Sequence, residues 1–154
     1  MPRIVTAAAA AVALVFSGLS ASAVESTYQA TSTAAPEAVW KNIGDFCGIA
    51  SWHPAVEKCE LSDNGKTRTL SLKGGGTIVE KLVSRNDKAH NYTYQIVSSP
   101  LPVSDYVSTI KVLPKGSGSS IVWTGHYKAK GASDADAKKT IDGIYKAGVD
   151  VLAK

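Results

Sequence analysis

Methionine and phenylalanine are scarce in this 154-residue chain, with one Met and two Phe, and cysteine occurs only at Cys47 and Cys59. With no CxxC spacing around that pair, a zinc module has little to build on and no metal site is expected. HExxH and GxSxG are also missing, which removes the usual zinc-protease and nucleophile-elbow chemistries. His53, His90 and His126 are scattered, and the last lies between Gly125 and Tyr127 on an outward strand position. The Gly74-Gly75-Gly76 run lacks the Lys-Ser/Thr of a phosphate-binding loop, so no nucleotide cofactor is implied. Charge of one sign is modest as well: the formal net charge is +4, and the lysines from Lys41 to Lys130 are spread singly. A dispersed set of this kind reads as a solvated surface rather than a nucleic-acid track.

Only one long apolar run is present. It extends from Ile4 to Phe16 with Thr6 as its sole polar residue, after Arg3 and before Ser17, Gly18 and Ser20. Ala21-Ser22-Ala23 then supplies a small-x-small cleavage pattern. Residues 1–23 are therefore expected to be a cleavable signal peptide, and 24–154 a single exported domain, periplasmic or secreted. The run is short for a bilayer span of ~20 residues and no second one follows, so no membrane span is expected after cleavage. Export places Cys47 and Cys59 where thiols oxidise. A disulfide between them is expected, with a metal pair or a reactive thiol as the alternatives.

Hydrophobic period and turn residues outline the rest. Glu25 to Ser32 reads as a strand, followed by a helix with Pro36 in its first turn and Val39, Trp40 and Ile43 on one face. Asp45 to Ser51 reads as a second short helix that stops before Trp52-His53-Pro54, since a residue preceding proline avoids the helical region. Six strands come next, at Val56–Leu61, Thr67–Leu72, Thr77–Ser84, Tyr92–Val97, Val103–Leu113 and Ser120–Lys130. Asn64-Gly65, Gly74–Gly76, Asn86-Asp87 and the stretch 114–118 mark turns. Asn91-Tyr92-Thr93 matches a glycosylation acceptor, yet it falls on a strand. Ser133 with Asp136 forms a capping box opening a long amphipathic helix whose apolar face holds Ala137, Ile141, Ile144, Tyr145, Gly148 and Leu152. The class is α+β, with a curved antiparallel sheet of about seven strands wrapped around the last helix.

This order, together with Ala35-Pro36-Glu37-Ala38-Val39-Trp40, Trp52-His53-Pro54, the glycine turn, Glu80-Lys81-Leu82, Tyr92-x-Tyr94-x-Ile96, Pro100-Leu101-Pro102-Val103, Tyr106 and Gly143-Ile144-Tyr145-x-Ala147-Gly148, resembles the START-like (SRPBCC) superfamily. The closest resemblance is to its polyketide cyclase/dehydrase-like branch. The resemblance implies a helix-grip fold and a cavity between sheet and last helix that holds a small apolar molecule, with enzymes a minority. An exported member with two cysteines is also similar to periplasmic accessory proteins of this family associated with methanol oxidation, which implies an exported protein as a further partner class.

Strand period proposes the inward sets: Tyr92, Tyr94 and Ile96; Tyr106, Ser108, Ile110 and Val112; Ile121, Trp123, Gly125 and Tyr127. Such faces fill a solid core as readily as they line a cavity, and it is the resemblance that implies the cavity. Glu80 points inward if it shares a face with Ile78 and Leu82. In plant abscisic acid receptors, a distant branch, a Glu followed by a basic residue and Leu lines the pocket, as Glu80-Lys81-Leu82 would here; Tyr106 matches a pocket tyrosine, and His53 lies about where that branch carries a lysine for the ligand carboxylate. Histidine is only partly charged near neutral pH, which argues against an acidic ligand. The candidate ligand-binding residues are thus His53, Glu80, Tyr94, Tyr106, Trp123, Tyr127, Ile144 and Tyr145. The resemblance makes Gly74, Gly75, Gly76, Pro100, Leu101 and Pro102 entrance loops. A cyclase or dehydratase using His53, Glu80 and Tyr106 as acid and base is the alternative to binding.

Overall fold

The computed structural model describes residues 22–154, so nearly all of the leader expected over 1–23 lies outside the described residues. Strand β1 (Val24–Ser32) leads into helices α1 (Pro36–Ile43) and α2 (Ile49–Trp52), then into strands β2 (Val56–Ser62), β3 (Thr67–Leu72), β4 (Thr77–Asn86), β5 (Asn91–Ser98), β6 (Val103–Lys115) and β7 (Gly118–Ala129), and ends in α3 (Asp134–Leu152). The strands form one antiparallel sheet in the order β1-β7-β6-β5-β4-β3-β2. Six strands therefore meander in chain order, and β1 closes the sheet against β7.

Local chemistry explains the boundaries. Helix α1 starts with Pro36 in its first turn, where the missing N–H is no loss. Helix α2 is one turn, starting later than the segment 45–51 that the sequence suggests and running one residue further, through Trp52. The Asp45 carboxylate accepts the Cys47 backbone N–H at 2.9 Å and the Asp45 carbonyl takes that of Gly48, so the chain turns there instead of winding. His53 is extended (φ −86, ψ 118), as its place before Pro54 requires. The turn expected over 114–118 shrinks to Gly116-Ser117, since Lys115 already pairs with Gly118. At α3, Ser133 Oγ accepts the Asp136 N–H at 3.1 Å, the expected cap.

Two bulges interrupt the register of β4 with β5: Val97 is the extra residue on β5 opposite Val79–Glu80, and Val83 is the extra residue on β4 opposite Thr93–Tyr94. Each extra residue bends its strand and adds twist, so the sheet curls around α3. The concave face carries Tyr92, Tyr94, Ile110, Val112, Ile121, Trp123 and Tyr127, all buried. Against it lie Ala137, Ile141, Tyr145, Gly148, Val149 and Leu152 of α3, with Ile144 half-buried. Burying each large apolar side chain contributes roughly 1.5–3 kcal/mol. Two glycines allow the close approach. A Cβ on Gly125 would collide with the Tyr145 hydroxyl, and one on Gly148 would lie 2.7 Å from His53, 2.8 Å from Trp52 and 2.9 Å from Trp123.

Cys47 and Cys59 form a disulfide with their Cα atoms 5.4 Å apart. It ties the loop after α1 to β2, the pairing expected from the sequence. No helix among the described residues is long and apolar enough to cross a membrane.

Candidate functional site

Between the concave face and α3 a cavity of about 230 Å³ is left open. Its walls are mostly aliphatic and aromatic, from α2 and the residues after it (Ile49, Ala55, Val56), from β3 to β5 (Leu70, Leu72, Ile78, Ile96), from Trp123 on β7, and from Ile141 and Ile144 on α3. His53, Glu80, Tyr94 and Tyr106 are the polar residues of the lining. The strand period brings these residues to one face, and the curl of the sheet turns that face into a container.

Glu80 does point inward, where a buried carboxylate needs a partner. Arg68, on β3 directly opposite it, donates from Nε to Glu80 Oε2 at 2.6 Å. Arg68 is fully buried. Its Nη1 donates to the Phe46 carbonyl at 2.6 Å, and the guanidinium lies 4.1 Å from the Phe46 ring centroid and 4.9 Å from that of Tyr94. Aromatic faces and a carboxylate around a buried cation offset its desolvation. Burial works against the Arg68 charge, yet Glu80, Tyr92 and Tyr94 outweigh it and raise its pKa. Burial also pushes the Glu80 carboxyl up from its usual range, with Arg68 pulling it back. Nη2 of Arg68 is buried without a partner.

Nothing in the composition singles out Arg68, and the motifs do not include it. A usable signal exists nonetheless: a hairpin folded about Gly74 sets position 68 across from 80, and Arg68 shares its inward parity with Leu70.

His53 caps the end of α2. Its Nδ1 accepts the Ala55 N–H at 3.2 Å, so the ring proton resides on Nε2, which faces the Ile144 carbonyl at 3.0 Å. Burial lowers the His53 pKa, the Ile144 contact opposes this, and Arg68 lowers it further. The imidazole is neutral with both nitrogens committed to backbone. It pins α2 to α3.

Tyr94, Tyr106 and Trp123 form the polar wall. The Trp123 indole N–H reaches Tyr94 Oη at 3.1 Å and Ser108 Oγ at 2.9 Å, and the Tyr106 and Tyr145 hydroxyls meet at 2.6 Å. Burial raises the pKa of Tyr94 and of Tyr106 well above the usual phenol value. Two of the proposed ligand residues stand behind this wall instead of on the cavity: Tyr145 stacks on Trp123 with centroids 4.6 Å apart, and Tyr127 stacks on Tyr106 while its hydroxyl bonds Ser26 at 2.5 Å. They hold the lining residues in place. Period alone cannot separate a first layer from a second when both face inward.

At the expected entrance only Leu101 lines the cavity. The two loops do meet, since a Cβ on Gly76 would lie 3.5 Å from Pro100 Cγ; Gly74, Gly75 and Pro102 do not line the cavity. A cleft also lies where two strands of the sheet part. Strands β5 and β6 pair only across Asn91–Gln95 and Val107–Lys111, and beyond Gln95 they part around an outer cleft of about 640 Å³. Ile96 and Tyr106 border both the cleft and the cavity. No group of three or more His, Cys, Asp or Glu able to hold a metal occurs among the described residues.

Residues 23–154 match the family described as "Polyketide cyclase / dehydrase and lipid transport". Among solved structures, the protein XoxI from Bacillus cereus is 35% identical with a TM-score of 0.83, over 84% of this chain and 93% of that one. An uncharacterised protein from Bacillus thuringiensis is 34% identical with a TM-score of 0.82, over 84% and 96%. An aromatase/cyclase from a Streptomyces species shares the fold, with a TM-score of 0.71 over 86% of this chain and 92% of its own at 15% identity. No curated protein matches the sequence.

Proposed function

The chain belongs to the polyketide cyclase/dehydrase and lipid transport family, and from that premise we propose that it is an exported binding protein. It holds one compact, neutral, apolar molecule beneath α3. The observation that carries this is the cavity of about 230 Å³ with four polar residues on an otherwise apolar wall. Its size falls below the ~300–1,000 Å³ of drug-sized sites, which favours a small ring system over a phospholipid or a long polyketide. Charge supports a neutral ligand. The buried Arg68 cation is already matched by Glu80, and His53 is uncharged, so an anion would find no free counter-charge.

Catalysis by His53, Glu80 and Tyr106 is the weaker reading, although all three line the same cavity. General acid–base work needs a group free to exchange a proton with the substrate. Both His53 nitrogens are engaged by backbone, and the Tyr106 hydroxyl is held at 2.6 Å by Tyr145. Export through the leader at 1–23 belongs to the same proposal and favours a carrier over a biosynthetic enzyme.

The test is native mass spectrometry of protein recovered from the exported fraction of its own host, followed by solvent extraction. A stoichiometric small molecule released on extraction is expected. A uniformly empty protein that also fails to take up apolar probes overturns the proposal.

A further inference from the structure

Hydroxyl protons in the tyrosine wall all run one way. Ser108 spends its single proton on the Thr124 carbonyl at 2.8 Å. Its oxygen therefore accepts the Tyr145 proton at 3.0 Å, besides the Trp123 N–H. With its proton spent on Ser108, Tyr145 accepts from Tyr106 at 2.6 Å. Tyr106 then has no proton for Tyr94, and the 3.4 Å approach between those two has Tyr94 as donor. That distance exceeds the ~2.5–3.0 Å of a good O–H···O bond. Tyr94 is thus the head of the chain: its oxygen accepts from Trp123, while its proton is poorly used at the cavity wall.

An unused acceptor belongs to another residue lining the same cavity as this poorly used donor. Arg68 takes Oε2 of Glu80. No donor among the described residues reaches Oε1, and that oxygen is not sealed in protein as Arg68 Nη2 is. Glu80 pairs with Ile96 and Leu82 with Tyr94, so Glu80 and Tyr94 are diagonal neighbours on the concave face. Side chains in that relation reach a common point.

We propose that the ligand carries a neutral hydroxyl group, phenolic or alcoholic, which accepts the Tyr94 proton and donates its own to Glu80 Oε1. This specifies the ligand class of the cavity and rests on the binding function proposed above. A hydroxyl alone fills both roles with one oxygen. A carbonyl or ether satisfies Tyr94 but leaves Glu80 without a donor. A carboxylate sets a second negative charge beside Glu80, and a plain hydrocarbon leaves both groups unpaired. Sites that hydrogen-bond a ligand hydroxyl reject analogues lacking it because their own buried polar groups lose a partner.

Isothermal titration of the full chain with β-naphthol, naphthalene, β-methoxynaphthalene and β-naphthoate tests this. β-Naphthol is expected to bind at least about tenfold more tightly than each of the others, a modest share of the discrimination such sites reach. Tyr94→Phe should cut that preference over naphthalene severalfold, with the fold checked by circular dichroism; the methoxy probe tests the Glu80 contact without any mutation. Equal binding of naphthol and naphthalene, equal binding of naphthol and its methyl ether, or naphthoate binding as well as naphthol overturns the hydroxyl assignment and leaves the binding function standing. Failure of all four probes to bind overturns both.

Discussion

Arg68 and Glu80 face one another across β3 and β4 and meet at 2.6 Å inside the concave face, with the Arg68 side chain wholly out of solvent. A cation so placed exists only because the carboxylate, the Phe46 carbonyl and the rings of Phe46 and Tyr94 surround it. The pair is therefore both a structural joint and one wall of the cavity.

Breaking that pair from one side should cost far more than replacing it whole. Glu80→Leu leaves a buried unpaired guanidinium, and a loss of ~3–5 kcal/mol in urea unfolding is expected. Arg68→Met combined with Glu80→Leu should recover most of it. A double variant as unstable as the single one would show that the pair itself, and not the stranded charge, sets the cost.

The disulfide secures the residue that caps Arg68, because Cys47 follows Phe46 directly and is tied to Cys59 on β2. Replacing both cysteines by Ala should lower stability by ~2–4 kcal/mol, seen as a lower urea midpoint with little change in slope. Reductant should reproduce this shift in the native protein and leave the variant unaffected.

His53 makes stability depend on pH in a definite direction. Its folded-state pKa is depressed below the ordinary 6.5, chiefly by burial, so the unfolded chain binds the proton more readily. The contribution is fully present above the ordinary histidine value and is lost as pH falls through the folded-state one. Unfolding free energies of the wild type and His53→Gln should therefore converge between about pH 8 and pH 5. A gap that widens on acidification would contradict the neutral, doubly bonded ring.

Helix α3 packs on α2 and β7 through Gly148. Since a Cβ there would lie within 2.9 Å of three aromatic rings, Gly148→Ala should destabilise by ~1–3 kcal/mol despite the better helix propensity of alanine. At Gly143, where a Cβ meets nothing, the same change should be neutral or stabilising. Thermal melts of the two variants supply the comparison.

Ile96 separates the cavity from the cleft between β5 and β6. Ile96→Ala should speed both uptake and release of a bound probe severalfold while changing affinity less, measured by stopped-flow quenching of Trp123. Unchanged rates would assign ligand passage to the loops at Gly74–Gly76 and Pro100–Pro102.

Strand alternation alone determines the inward residues of β5, β6 and β7, because which face a side chain takes follows from neighbours one and two positions away. The Ser133 cap and the stop before Pro54 are legible in the sequence for the same local reason, and the family follows from motifs in order. Helix α2 is shorter than its sequence suggests because the Asp45 turn competes with winding over a few residues, where propensity decides little.

Depth, pairing and empty volume belong to the tertiary structure. Tyr127 by strand alternation and Tyr145 by helical spacing face inward as Tyr94 and Tyr106 do, but only the stacking of one layer on another places them behind the wall. Arg68 becomes the partner of Glu80 through the register of β3 on β4, which no single strand encodes. The cavity is what remains when side chains from the helices and several strands fail to fill the space between sheet and α3, a small difference between large volumes. Each side chain's direction is thus a local property of the chain, whereas the space left between them arises only once all those elements are packed.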